Sequence, residues 1–212
     1  MSDRLPEHVR GNPDAPVTVV EYGDYECPYC AAAAPVLRQL VDESDGRVRL
    51  VFRNFPLAQL HPFALTAALA AEAAGAQGAF WPMHDLLFTR QDRLEDAALQ
   101  AYAERLGLDG SQVVGEPAQR FADKVEADFA AGLAAGVAGT PTLFVNGELY
   151  AGRTESVALR RAVAAAAGSA VDGRSDPGPR RQRRWSLGVR RAEREPLAED
   201  AEQDDAGQRR GE

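Results

Sequence analysis

Val17-Thr18-Val19-Val20-Glu21-Tyr22-Gly23-Asp24-Tyr25-Glu26-Cys27-Pro28-Tyr29-Cys30 is the stretch on which the fold turns. Its first six residues are β-branched and apolar around one acid, as in a buried strand. Gly23 to Glu26 break that run. Cys27-Pro28 then opens Ala-rich sequence reaching about Val41, and a proline is well suited to a first helical turn. Pro35 lies inside this helix and is expected to kink it, because it removes a backbone donor. Beyond it, Val48, Leu50 and Phe52 alternate with arginines at 47, 49 and 53, the period of a strand. Strand, helix and strand in this order make a β-α-β unit.

The remainder reads outward from that unit. Residues 1–14 form a polar lead. From Pro62 to about Val137 the apolar positions fall at helical spacing: Leu65 and Leu69, Phe80 to Thr89, Ala97 to Leu106, then Phe121, Val125, Phe129 and Leu133. Leu143-Phe144-Val145, Asn146-Gly147 and Leu149-Tyr150 carry a strong hairpin signal. A last helix is expected over Thr154 to Ala167. Beyond Gly168 the sequence is Ser, Asp, Pro, Gly, Arg and Glu with few aliphatic residues, so residues 168–212 are expected to form a disordered charged tail. Ten arginines and ten acids balance there, which assigns the chain's net charge of -8 to the folded part.

That negative balance disfavours nucleic-acid phosphates as partners. No run approaches the length of a membrane helix, and no apolar signal segment opens the chain, so a cytoplasmic protein without a membrane partner is expected. Hydrophobic residues at 45% and charged residues at 26% fit a globular fold.

The two cysteines are too close to staple a fold and too few for a disulfide framework. Their position, where a strand hands over to a helix, points to redox chemistry. A thiol in the first helical turn meets unpaired N–H groups and the positive end of the helix dipole, which favours its thiolate. Cys27 is therefore read as the nucleophile and Cys30, one turn deeper, as the resolving thiol. A closed zinc site would need further ligands, while His8, His61 and His84 stand singly; His61 and His84 read as packing or capping residues. Asp24 and Glu26 either oppose the Cys27 thiolate or are solvated loop charges; the sequence leaves both readings open.

Gly11-Asn12-Pro13, Val19 to Tyr22, the C-P-Y-C motif at 27–30, Phe80-Trp81-Pro82-Met83-His84-Asp85 and Gly139-Thr140-Pro141-Thr142 together resemble the DsbA-like thiol:disulfide oxidoreductases of the thioredoxin superfamily. The resemblance spans about residues 11–167. It implies an α/β thioredoxin fold over 15–167 with a helical subdomain inserted at about 58–137. It also implies a cis Pro141 facing the redox pair, Thr140, Pro28 and Tyr29 as substrate-contacting residues, and Glu21 as a buried acid beneath the disulfide. A buried carboxylate has a raised pKa and can take the resolving thiol's proton. The implied partners are protein thiols or disulfides and a redox protein or small thiol, with no bound cofactor or metal. C-P-Y-C is also similar to the glutaredoxin motif, so a glutathione-dependent reductase is an alternative. A non-enzymatic peptide-binding or chaperone module is another.

Overall fold

Apolar runs in this chain find a two-sided sheet to bury against. The computed structural model describes residues 7–154 and 156–172. A mixed sheet of five strands forms among them: β1 (His8–Gly11), β2 (Val17–Gly23), β3 (Val48–Asn54), β4 (Thr142–Val145) and β5 (Glu148–Leu149). Their spatial order is β1-β3-β2-β4-β5. β2 and β3 run parallel, Val17 opposite Val48 and Glu21 opposite Phe52, and the crossover between them is α1 (Pro28–Asp42). β4 lies antiparallel to β2 with Leu143 opposite Glu21. Asn146 and Gly147 both take positive φ in the β4–β5 turn, the conformation that the Asn-Gly pair favours.

Side-chain alternation on the strands sets the two faces. Val17 and Val19 of β2, with Leu50, Leu143 and Val145, pack on Ala33, Leu37, Leu40 and Val41 of α1 and on Leu159 and Val163 of α7 (Ser156–Asp172). Glu21 shares this face by its period of two, at the end where α1 begins. Tyr22 points to the opposite face and meets Phe55 and Val137. α1 continues as one helix through Pro35.

Between β3 and β4 lie α2 (Ala64–Ala76), α3 (Phe80–Thr89), α4 (Asp96–Arg105), α5 (Gly115–Gln119) and α6 (Ala122–Ala134). They build a core of alanines, Met83, Leu87, Phe88, Leu99 and Tyr102 that is continuous with Tyr25, Cys27, Cys30 and Phe52. The insert is tied to the sheet by polar contacts too. Trp81 Nε1 donates to the Val9 carbonyl at 2.9 Å, Arg10 lies over the Trp81 ring and bonds Asp85, and Asn54 donates to the buried Glu72. This is the thioredoxin fold with an inserted helical layer that the sequence suggests.

Two expectations change. The polar lead contains β1, whose His8 and Arg10 find partners on α2 and α3 that no local pattern reveals. The last helix runs to Asp172, so residues 168–172 are helical instead of tail; the tail expected beyond them lies outside the described residues.

Gly132 of α6 packs its backbone against Phe55 and Tyr22 at the face of the sheet. A Cβ there would stand 2.6 Å from the Phe55 ring and 2.9 Å from the Tyr22 ring. Gly→Ala in a free helix stabilises by about 1 kcal/mol. Here overpacking outweighs that gain, and Gly132→Ala is expected to lower the unfolding free energy by about 1 kcal/mol in chemical denaturation. A stabilised variant would contradict this packing.

Candidate active site: two unlike thiols over a buried acid

Cys27 is the N-cap residue of α1 and carries extended backbone (φ -75°, ψ 121°). Pro28 at N1 has no N–H to satisfy, the Cys30 amide donates to the Cys27 carbonyl at 3.1 Å, and the polar amides of Tyr29 and Cys30 stand near enough to the Cys27 sulfur to favour its thiolate. The Cys27 thiol is lowered from its usual 9.0 to about 5. A hydrogen bond from the Cys30 thiol contributes most; burial opposes it, while the Thr140 side chain and the two amides support it. The Thr140 hydroxyl is buried and has no hydrogen-bond partner among the described residues.

Cys30 has the opposite environment. It is fully buried and accepts only the long 3.5 Å contact from the Asp24 amide. Burial, its hydrogen bond to Cys27 and the charge of Glu21 all push its pKa up. Neither cysteine is in a disulfide. Partial exposure is expected for a helix-start nucleophile, yet Cys27 is only 4% exposed. The two sulfurs differ in charge preference far more than in exposure.

Glu21 has no exposed surface, and both carboxylate oxygens lack hydrogen-bond partners among the described residues. Burial raises its pKa from 4.5 to about 8, with Arg10 opposing and Cys27 adding to the shift. The Thr140-Pro141 peptide is cis, and the Cys27 thiol donates to the Thr140 carbonyl at 3.4 Å. The structure therefore brings Cys27, Cys30, Glu21, Thr140 and Pro141 together. Tyr29 stands 72% exposed beside them.

Several residues at the site escape local sequence signals. Gln91 follows α3 and its side-chain NH₂ donates to the carbonyls of both Tyr25 (2.8 Å) and Cys27 (2.9 Å), fixing the active-site turn to the insert. The buried Tyr25 hydroxyl is bonded to His84 Nδ1 at 3.2 Å, and burial holds His84 well below its ordinary pKa. His84 thus packs, as its motif suggested. Asp24, read as a possible solvated loop charge, is buried. Among the described residues no group of three or more His, Cys, Asp or Glu is disposed to hold a metal, and no helix is long and apolar enough to cross a membrane.

A family model described as thioredoxin matches residues 3–165. A thioredoxin-like oxidoreductase from Silicibacter pomeroyi DSS-3 aligns with a TM-score of 0.68 and 34% identity, over 76% of this chain and 91% of that one. Oxidised BdbD from Bacillus subtilis aligns with a TM-score of 0.67 and 26% identity, over 76% and 93% of the two chains. The chain belongs to the thioredoxin superfamily, in the branch of the DsbA-like thiol:disulfide oxidoreductases. The curated Na(+)/H(+) antiporter NhaA 1 of Salinispora arenicola is 46% identical over 192 residues, which is 90% of this chain but 29% of the antiporter. The chain spans less than a third of the length of the curated relatives it matches.

The pKa of Glu21 carries a signature in stability. Between pH 4.5 and 8 the unfolded chain has an ionised Glu21 while the folded chain keeps it protonated, so folding takes up a proton and stability falls as pH rises. At pH 7 the loss is about 3 kcal/mol, at 1.36 kcal/mol per pKa unit. Glu21→Leu is therefore expected to stabilise the dithiol protein at pH 7, and its advantage should narrow by about 3 kcal/mol on lowering the pH to 4, as read by denaturant titrations. A pH-independent difference would contradict the raised pKa.

Proposed function

We propose that this protein exchanges disulfides with protein substrates through Cys27 and Cys30, with Glu21 as proton acceptor. The observation that carries the reading is the inequality of the two thiols over one buried acid. The Cys27 thiolate attacks a sulfur of the substrate disulfide. That bond breaks, a Cys27–substrate disulfide forms, and the departing substrate thiolate takes a proton from solvent. Cys30 then passes its proton to the ionised fraction of Glu21 and attacks Cys27 Sγ. The internal disulfide forms and the second substrate thiol leaves, reduced by two electrons in all. A redox protein or small thiol returns the pair to its starting state, and run backward the same steps oxidise a dithiol.

Protein chains suit the surroundings better than glutathione alone. Tyr29 and Phe63 are exposed apolar side chains on either side of the turn, Phe63 being tied by its amide to Glu26. The Thr140 carbonyl, 3.4 Å from Cys27, offers backbone to an extended substrate. The extent of the match to longer antiporters supports a second reading, in which this redox domain works beside an ion-transport unit.

Cys27→Ser is expected to abolish exchange. Cys30→Ser should attack substrate but fail to release it, so that mixed disulfides accumulate and appear in mass spectra after incubation with oxidised protein. Captured polypeptides support the general oxidoreductase, a captured membrane transporter the second reading, and glutathione adducts alone the glutaredoxin-like alternative. No adduct on Cys27 would contradict the assignment of the nucleophile.

A further inference from the structure

Asp24 lies three residues before Cys27, and its carboxylate has no exposed surface. An unpaired charge there would oppose a thiolate at Cys27 and would itself be costly to bury. The structure gives this carboxylate three donors. Oδ1 accepts the Glu26 amide at 2.8 Å, while Oδ2 accepts the Leu57 amide and His61 Nδ1, each at 2.8 Å. Asp24 also reaches the second cysteine, its own amide donating to Cys30 Sγ. One carboxylate thus joins the turn carrying Cys27 to the loop between β3 and α2 that carries His61. The ring is 21% exposed, and its other nitrogen, Nε2, has no protein partner among the described residues.

We propose that His61, held through Nδ1 by Asp24 in the turn that carries Cys27, is the cationic positioning residue of the exchange site, cancelling the Asp24 charge and stabilising the Cys27 thiolate. The inference rests on the dithiol reading given above and adds a residue to it. The charged groups that face the ring are Asp24 and Glu26 from the turn after β2 and Cys27 at the head of α1. Glu126 of α6 lies farther off, on the wall of the cavity that Leu57 and Leu60 also line. Its own loop, 55–60, contributes no charge. Burial alone would lower the His61 pKa, but the hydrogen bond and charge of Asp24, with the charges of Cys27 and Glu26, bring it out raised. The ring therefore keeps its proton further toward neutral pH than a free histidine does. Coupling is mutual: a thiolate that raises the histidine is stabilised by it to the same degree.

The test compares the pH dependence of Cys27 alkylation by iodoacetamide in three full-length dithiol proteins: the parent, His61→Asn and His61→Arg. Asparagine keeps a neutral donor for Asp24, whereas arginine keeps the charge. The thiolate fraction at pH 5 should fall about 3- to 10-fold in His61→Asn, as for loss of a neighbouring opposite charge, and stay within about twofold of the parent in His61→Arg. An unchanged profile in His61→Asn overturns the proposal. So does an equal fall in both variants, because it would show that His61 acts only as a structural tether. A measurement without substitution stands beside this one. The His61 titration followed by NMR should have a lower midpoint after Cys27 is converted to its internal disulfide, and identical midpoints in the two redox forms overturn the proposal. Failure of the parent protein to exchange with any protein disulfide would remove the functional reading instead, and neither measurement depends on turnover.

Discussion

A helix that opens on a sulfur where an oxygen cap usually stands is the constraint on which the rest of this structure depends. The N-cap position of a helix is usually held by an oxygen from Ser, Thr, Asp or Asn. At α1 the position belongs to Cys27, and no side chain caps the end. Pro28 withdraws one donor, and the amides of Tyr29 and Cys30 lie close enough to the Cys27 sulfur to favour its charge. The charge this favours on Cys27 makes the reduced pair asymmetric. Burial of Cys30 and Glu21 pushes the pKa of each up, so both favour their protonated forms.

Holding a thiolate in this position requires the turn before α1 to be rigid, and the inserted helices supply that rigidity. Gln91 grips the carbonyls on either side of Glu26. Tyr25 is packed among Phe52, Phe88 and His84, with its hydroxyl bonded to the histidine. Asp24 binds the turn to the β3–α2 loop. The helical layer thus serves the site from behind as well as framing it. Glu21 illustrates the opposite choice, since a buried acid with both oxygens unpartnered weakens the fold at neutral pH. Stability is given up there for an acid placed within electrostatic reach of both thiols.

Much of this was legible in the sequence, and for identifiable reasons. β2, α1 and β3 follow from period and composition, and the hairpin from Asn146-Gly147. Cys27 and Cys30 follow from their place between strand and helix, whereas Glu21 follows only from the family resemblance, and the structure buries it completely. What escaped depends on partners distant in the chain. β1 is short and polar, and its side chains are satisfied by Glu72, Phe80, Trp81 and Asp85. Gln91 lies 64 residues from the Cys27 carbonyl it holds. Asp24 looked as much like a surface charge as a buried one, because its three donors come from three places in the chain, two of them beyond β3. The near-complete burial of Cys27 was equally invisible, since exposure is decided by the cis-proline loop and the insert closing around the helix start.

The two sulfurs of the reduced pair differ widely in proton affinity. Titrating the dithiol protein while following the ultraviolet absorbance of thiolate tests it without substrate, partner or substitution. One thiolate is expected to appear with a midpoint near pH 5, with no second ionisation across the range in which the protein stays folded. Two thiols titrating together near the ordinary value of 9.0 would contradict it.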